Sequence, residues 1–137
     1  MLDKTDLDII TYLKKDGRMK WNDLGDLVHL TGQAVSNRVK ELEKKGIIEG
    51  YTVSVNEQKL GHTISAYITV FMKSLNHSEF VDFIRVTDEI KEAHRISGEG
   101  CYMLKVSSSS NETLVQLIDS LLKFGLYKIN MSIDVIK

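Results

Sequence analysis

The sequence from Leu24 to Gly46 reads LGDLVHLTGQAVSNRVKELEKKG, two short helical patterns on either side of Thr31-Gly32. In the second pattern, Val35, Val39 and Leu42 recur at i, i+4 and i+7, so one face of the helix is apolar and packs inward. Amide, hydroxyl and ammonium groups occupy another face: Gln33, Ser36, Asn37, Lys40 and Lys44. Such groups hydrogen-bond base edges and neutralise phosphates, so we interpret this stretch as a helix for DNA.

Composition limits what surrounds that helix. The 137 residues are 42% hydrophobic and 27% charged, which suits one ordinary domain or two small ones. No apolar run is long enough to span a membrane, and the N-terminus lacks the apolar core of a signal peptide, so we expect a cytoplasmic protein with no membrane partner. The single cysteine, Cys101, cannot form an internal disulfide.

The charge distribution is local rather than general. A net charge of -1 argues against a polycationic nucleic-acid coat. Residues 33–45, however, carry four basic and two acidic side chains. Dimerisation would double this small positive excess.

The first half of the chain predicts three helices. Asp3 and Asp6 precede an apolar periodicity and predict a capped helix over about 4–15. A second helix is expected over 21–29, with Gly25 where a neighbouring helix approaches closely. Thr31 caps a third helix, from Gly32 to Lys45, and Gly46 ends it. The β-branched segment 47–55 predicts a trailing strand, which completes a winged-helix-like helix-turn-helix domain over 1–55, followed by a linker over 56–62.

The second half, 63–137, predicts a β-α-β-β-α-β domain. Its expected strands are 63–73, 90–97, 101–107 and 127–135, and its expected helices are 78–87 and 110–123. Each helix has one apolar face, so both can cover one face of a four-stranded sheet. The other face carries Tyr67, Thr69 and Phe71, and we expect a second copy of the chain to cover it. The fold class is α+β, with a helix-turn-helix domain followed by a ferredoxin-like domain.

Four segments together resemble the Lrp/AsnC family of transcriptional regulators. They are the opening LDKTDLDIITYLKKDGR, the segment LTGQAVSNRVKELEKKGIIEGY, Leu60-Gly61, and HRISGEGCYMLKV at 94–106. The resemblance implies an N-terminal DNA-binding domain, a C-terminal dimerisation domain, assembly of dimers to tetramers or octamers, and an amino-acid effector bound between C-terminal domains. Two positions depart from the family: Gly32 stands where proline usually opens the recognition helix, and Cys101 where an acidic residue is usual.

The polar row on the third helix has two interpretations. On periodicity alone, an ordinary solvated face is the simpler one. The flanking pattern favours DNA, because Asn and Gln bond adenine, Ser bonds either base edge, and Lys bonds guanine or phosphate. Arg38 is expected to fix the domain or a phosphate rather than read a base. The candidate DNA-binding residues are Thr31, Gln33, Ser36, Asn37, Arg38, Lys40 and Lys44. Trp21 is taken as a core-edge residue and left out of this site.

The glycines of the hairpin after residue 97 also have two interpretations. Gly98 and Gly100 are explained by a tight turn that needs positive φ. Alternatively, their exposed amides receive an effector carboxylate, with Glu99 available for an ammonium group. The candidate effector residues are Gly98, Glu99, Gly100, Tyr102, Asn130 and Ser132. A site of this kind and no ligand at all remain open alternatives.

Catalysis and metal binding find little support in the sequence. The four histidines show no short ligand spacing, and one cysteine gives no zinc signature. A three-residue hairpin loop at 98–100 places His94 opposite Leu104, three rungs from Cys101 and on the opposite face, so we predict no thiol-imidazole pair. We therefore expect neither an enzyme nor a metal or cofactor.

The leading hypothesis is a sequence-specific DNA-binding transcriptional regulator, dimeric or higher, for which response to an amino acid stays an open alternative. Two alternatives remain open at this point. One is an amino-acid sensor whose helical domain no longer meets DNA. The other is an architectural protein that bridges DNA with little sequence preference.

Overall fold

The computed structural model describes residues 1–137, which form two compact units, Met1–Ser54 and Val55–Lys137. The first unit contains α1 (Lys4–Lys15), α2 (Trp21–Val28) and α3 (Gly32–Lys44). The second contains β1 (Ile64–Met72), α4 (His77–Val86), β2 (Ile90–Arg95), β3 (Tyr102–Ser108), α5 (Asn111–Leu121) and β4 (Gly125–Met131). The predicted β-α-β-β-α-β order is confirmed, and so is the α+β class. None of the helices combines the length and apolar character needed to cross a membrane.

Side-chain caps start two helices of the first unit where the sequence predicts them. The Asp3 carboxylate accepts from the Asp6 amide at 2.8 Å, and the Asp6 carboxylate accepts in turn from the Asp3 amide at 3.2 Å. The Thr31 hydroxyl accepts from the Ala34 amide at 3.1 Å. Both caps satisfy backbone donors that the helix leaves unpaired. The helices then bury a common core of Ile9, Leu24, Val35, Val39 and Leu42.

The turn between α2 and α3 is tightly built. A Cβ atom on Gly25 would overlap the carbonyl oxygen of Leu30 and would lie 3.3 Å from the amide nitrogen of Gly32. The close approach expected at Gly25 is present, but the neighbour is the backbone of the turn that leads into α3 rather than a packed helix. His29 ends α2 in the left-handed region with φ 58°, a backbone conformation that residues other than glycine rarely adopt.

The predicted trailing strand over 47–55 is wrong. No strand lies between α3 and β1. Its β-branched residues favour extended backbone, but a strand also needs a neighbour for its N–H and C=O groups, and the sheet of the second unit contains only β1 to β4. Val53 is 78% exposed, whereas the hydroxyl of Tyr51 donates to the carboxylate of Glu43 at 2.8 Å. This hydrogen bond, the bonds from the Ile47 and Ile48 amides to the Leu42 carbonyl, and the packing of Ile48 on the core attach the segment to α3.

The sheet has the order β2-β3-β1-β4 with all pairs antiparallel. One face, which includes Ile68, Val70, Leu104 and Val106, is buried with Phe80 of α4 and with apolar residues of α5. Caps at Asn76 and Ser110 begin the two helices. Tyr67 and Met103 lie on the other face and are 44% and 41% exposed. Within the second unit, the sheet is therefore covered on one side only.

The register of the β2–β3 hairpin differs from the prediction by one residue. His94 pairs with Met103, not with Leu104, and Arg95 pairs with Tyr102. The Ile96 amide donates to the Cys101 carbonyl at 3.0 Å, so four residues, 97–100, form the loop instead of three. Because side chains alternate along a strand, this shift places His94 on the face opposite to the one predicted. The His94 ring bonds Glu92 at 2.6 Å.

Candidate nucleic-acid interface and effector cavity

Helix α3 separates its buried and exposed residues as the sequence predicts. Val35, Val39 and Leu42 are at most 2% exposed. Gln33, Asn37, Lys40 and Lys44 are exposed, and Ser36 is half-buried beside them. The Gln33 side-chain nitrogen donates to the Asn37 side-chain oxygen at 3.0 Å. This surface presents amide groups near the start of the helix and ammonium groups further along it.

Thr31 and Arg38 are already engaged within the first unit. The Thr31 hydroxyl accepts from the Ala34 amide, which leaves its own proton free to donate, for example to a phosphate. The Arg38 guanidinium donates to Asp3 at 2.7 Å and to Asp6 at 2.8 Å. Hydrogen bonds to Asp3 and then Asp6 raise the pKa of Arg38, and the bond from Arg38 lowers the pKa of Asp3. These contacts favour the domain-fixing role for Arg38.

A shallow groove of about 330 Å³ adjoins the start of α3. Trp21, which we expected at the edge of the core, is 36% exposed and lines this groove. Sequence reasoning missed the groove because it arises where the first turns of α2 and α3 meet. A Cβ atom on Gly32 would overlap the Asn22 side chain, which marks how closely those turns approach. The lining residues are Lys20, Trp21, Asn22, Gly32, Gln33 and Ser36.

The loop between β2 and β3 has the positive φ angles that its glycines predict. Gly98 and Gly100 adopt φ of 93° and 88°. A Cβ atom on Gly100 would lie 2.5 Å from the Thr69 methyl group, so this glycine also permits close packing on β1. The Cys101 amide donates to the Val70 carbonyl at 2.8 Å, which fixes the loop against the same strand. The turn alone accounts for both glycines.

Two of the candidate effector residues meet in a cavity on the uncovered sheet face. Glu99 and Asn130 line this cavity of about 480 Å³. The other lining residues, which sequence reasoning did not include in the effector site, are Tyr67, Thr69, Phe71, Met103 and Lys128. Register explains the grouping, because Thr69 pairs with both Met103 and Lys128, and Tyr67 pairs with Asn130. The sequence signal for Lys128 was its i, i+2 spacing from Asn130.

Tyr102 and Ser132 lie outside this cavity. Tyr102 is 4% exposed, packs edge-on against Phe80, and shares a 2.9 Å hydrogen bond between its hydroxyl and His77 Nδ1. Its side chain therefore belongs to the helix-covered face. Ser132 follows the end of β4, and its amide donates to the Ser65 carbonyl at 2.8 Å. The structure thus separates Tyr102 from Glu99 and Asn130.

The cavity combines opposite charges with an apolar wall. Glu99 supplies a carboxylate, Lys128 an ammonium group, and Asn130 an amide. Phe71 and Met103 supply apolar surface. A free amino acid carries an ammonium group, a carboxylate and a side chain, so this set of groups matches its chemistry.

Both parts of the chain match known protein families. Residues 2–49 match the winged helix-turn-helix DNA-binding model, and residues 65–134 match the Lrp/AsnC ligand binding domain. The chain belongs to the Lrp/AsnC family. Two Lrp/AsnC regulators of Bacillus subtilis are similar over nearly its whole length. LrpB is 42% identical, over 99% of this chain and 91% of the LrpB chain. LrpA is 36% identical, over 97% of this chain and 98% of the LrpA chain.

Solved Lrp/AsnC structures share the fold. LrpC of B. subtilis superposes with a TM-score of 0.95 at 33% identity, covering 100% of this chain and 98% of that chain. The regulator NMB0573 of Neisseria meningitidis, solved as a complex with L-Met, has a TM-score of 0.93 at 25% identity and covers 100% and 93%. Like the relatives with which it shares the family, the chain is a helix-turn-helix transcriptional regulator that binds DNA.

Proposed function

We propose that this regulator recognises its operator through the exposed row of α3, presented twice by a homodimer. The supporting observation is that Gln33, Asn37, Lys40 and Lys44 are all exposed opposite a buried apolar face. Amides suit base edges, and the two lysines suit guanine or phosphate. Thr31 and Ser36 flank this row and are assigned to phosphate and base contacts. Arg38 is assigned to holding α3 against α1 through Asp3 and Asp6.

A second copy of the chain is the proposed occupant of the uncovered sheet face. Tyr67, Phe71 and Met103 give that face an apolar component, and one chain with a net charge of -1 is a weak DNA binder by itself. Two linked helix-turn-helix units gain affinity because the second binds at a high effective concentration. The assembly proposed is a cytoplasmic dimer that associates further to a tetramer or octamer.

The DNA assignment is tested with single substitutions in the full-length protein. Asn37→Ala and Lys40→Ala should each weaken binding to the operator selected by the wild type by at least about tenfold, because each removes a contact worth about 1–3 kcal/mol from both protomers of the dimer. Fluorescence anisotropy measures the affinity, and light scattering should show unchanged oligomer size. Gln116→Ala and Lys123→Ala are matched controls on the second unit. Undiminished binding by both α3 variants would contradict the residue assignment.

Salt dependence separates sequence-specific recognition from architectural bridging. The logarithm of the binding constant should fall linearly with the logarithm of the salt concentration, because binding releases counterions from the phosphates. Lys44→Ala should reduce the slope by about two, one for each protomer of the dimer, if Lys44 neutralises a phosphate. Equal affinity for the selected operator and for random DNA would favour the architectural alternative.

We further infer that an amino acid is the effector and that it is held between the two copies of the chain, in the cavity containing Glu99, Lys128 and Asn130 on the face that the second copy covers. The supporting observation is the pairing of a carboxylate and an ammonium group beside apolar side chains. Titration calorimetry against a panel of amino acids tests the proposal, with Glu99→Gln and Lys128→Met expected to abolish the heat and Glu112→Gln as the control. Binding retained by both cavity variants would place the effector elsewhere. Amino-acid binding without any DNA binding at low salt would favour the sensor alternative.

A further inference from the structure

Two amide side chains on α3 are joined to each other by a hydrogen bond. Gln33 Nε2 donates to Asn37 Oδ1 at 3.0 Å, between residues one helical turn apart. Both side chains are exposed, so the bond lies on the surface that meets DNA in the function proposed above. This bond therefore determines which hydrogen-bonding groups of the two side chains stay free to contact DNA.

The bond makes two chemically similar side chains different. A side-chain amide has two N–H donors and a carbonyl oxygen with two lone pairs. Gln33 commits one N–H to the bond and keeps its other N–H and its whole carbonyl group. Asn37 commits its carbonyl oxygen to Gln33 and keeps both N–H donors. Gln33 therefore presents an acceptor together with a donor, whereas Asn37 presents mainly donors.

The two purines differ in the same way at their major-groove edges. Adenine offers the N7 acceptor and the N6 amino donor, while guanine offers two acceptors, N7 and O6. A free Asn or Gln ordinarily takes adenine, because it supplies one donor and one acceptor. We propose that Gln33 and Asn37 form one reading pair, in which Gln33 takes adenine and Asn37, with its carbonyl held by Gln33, takes guanine.

The position of the pair on α3 suits this role. Gln33 is the second residue of the helix, and residues near the start of a recognition helix are those that reach base edges. The first turn of α3 has no acidic residue that would compete for the amide donors or repel phosphates. The inference rests on the proposed function, since it requires α3 to enter the major groove.

Two substitutions distinguish a coupled pair from two independent readers. Asn37→Asp keeps an oxygen for the Gln33 N–H but removes both donors, so the guanine position should change to cytosine, whose N4 amino group donates, while the adenine position is kept. Gln33→Ala frees the Asn37 carbonyl. It should abolish the preference at the adenine position. It should also change the preference at the guanine position from guanine to adenine, although residue 33 does not contact that base.

The experiment selects double-stranded DNA from a randomised library with the full-length wild type and each variant. Anisotropy titrations then measure the affinity ratio between operators that differ at one base, and each change should alter this ratio by about tenfold. Using a ratio removes the general weakening that an added carboxylate causes. Gln116→Ala is the matched control, because it removes an exposed helical glutamine from α5, and circular dichroism checks that every variant is folded.

Each outcome has a distinct meaning. If Gln33→Ala alters only the adenine position and the guanine preference stays, the two residues read independently and the pair is refuted, although DNA recognition by α3 stands. Adenine selected at the Asn37 position in the wild type would reverse the donor and acceptor roles and also refute the assignment. A wild-type protein that selects no sequence at all would overturn the proposed function itself.

Discussion

The guanidinium of Arg38 lies 2.8 Å from the carboxylate of Asp6, so an ion pair joins α3 to α1. The Asp6 side chain is 14% exposed and the Arg38 side chain 35%, which distinguishes this contact from a fully solvated surface pair. The same guanidinium reaches Asp3, the N-cap of α1, at 2.7 Å. The helix proposed to read DNA is thus anchored to the start of the first helix of its unit.

Replacing Arg38 should destabilise the helix-turn-helix unit. Arg38→Ala removes two charge-assisted hydrogen bonds and leaves the partly buried Asp6 carboxylate without its cation, so we expect a loss of about 1–2 kcal/mol in the free energy of unfolding. Urea unfolding followed by the fluorescence of Trp21, the single tryptophan, measures it. Arg18→Ala, an exposed arginine in the same unit, should stay within about 0.5 kcal/mol of wild type. Equal effects of the two changes would contradict the anchoring role.

Acid should weaken the same anchor. The hydrogen bond from Arg38, followed by the bond from the Asp6 amide, holds the pKa of Asp3 below its ordinary value of 3.8. Because the folded-state pKa is the lower one, this contribution to stability is complete above pH 3.8 and is lost as the pH falls through the folded-state value.

Carboxyl carbon chemical shifts followed by NMR from pH 6 to about pH 2 report the Asp3 titration. Arg38→Gln removes the cation and should move the Asp3 midpoint upward, towards the ordinary value. An Asp3 midpoint that is the same in both proteins would show that Arg38 does not control this carboxylate.

The left-handed residue at the end of α2 offers a test of backbone strain. His29 has φ 58°, a region that disfavours a Cβ atom by about 1–2 kcal/mol. His29→Gly removes this cost but adds about 0.5–1 kcal/mol of unfolded-chain entropy, so stability should rise by up to about 1.5 kcal/mol. His29→Val, which brings a β-branched side chain, should lower stability by about 1 kcal/mol. Thermal unfolding of the two variants should therefore shift in opposite directions, and a shared direction would exclude strain as the cause.

Gly25 should tolerate no side chain. Gly25→Ala places a methyl group against the Leu30 carbonyl, and because the obstacle is backbone in a tight turn we expect a loss of about 1–3 kcal/mol. Gly50→Ala is the control within the same unit, since nothing lies within 4 Å of its Cβ position, and it should be neutral or stabilising by up to about 1 kcal/mol. Urea midpoints measure both. Equal midpoints would show that the turn relaxes around the added methyl group.

Local rules account for the elements that the sequence predicted well. The caps at Asp3 and Thr31, the apolar row Val35, Val39 and Leu42, and the six elements of the second unit depend on hydrogen bonds and periodicities that span a few residues. The segment 47–55 failed for the opposite reason. Its β-branched residues favour extended backbone locally. A strand also needs a neighbouring strand to hydrogen-bond with, and composition does not predict that neighbour.

The sequence by itself determined the two-part α+β architecture, the third helix and its exposed polar row, because period and capping are properties of neighbouring residues. Only the tertiary structure decided how those residues are used. It committed Arg38 to Asp3 and Asp6, joined Gln33 to Asn37, and brought Glu99 beside Lys128 and Asn130. Strand register and side-chain rotamers set these contacts, and a one-residue change in register moves a side chain to the other face, as His94 illustrates.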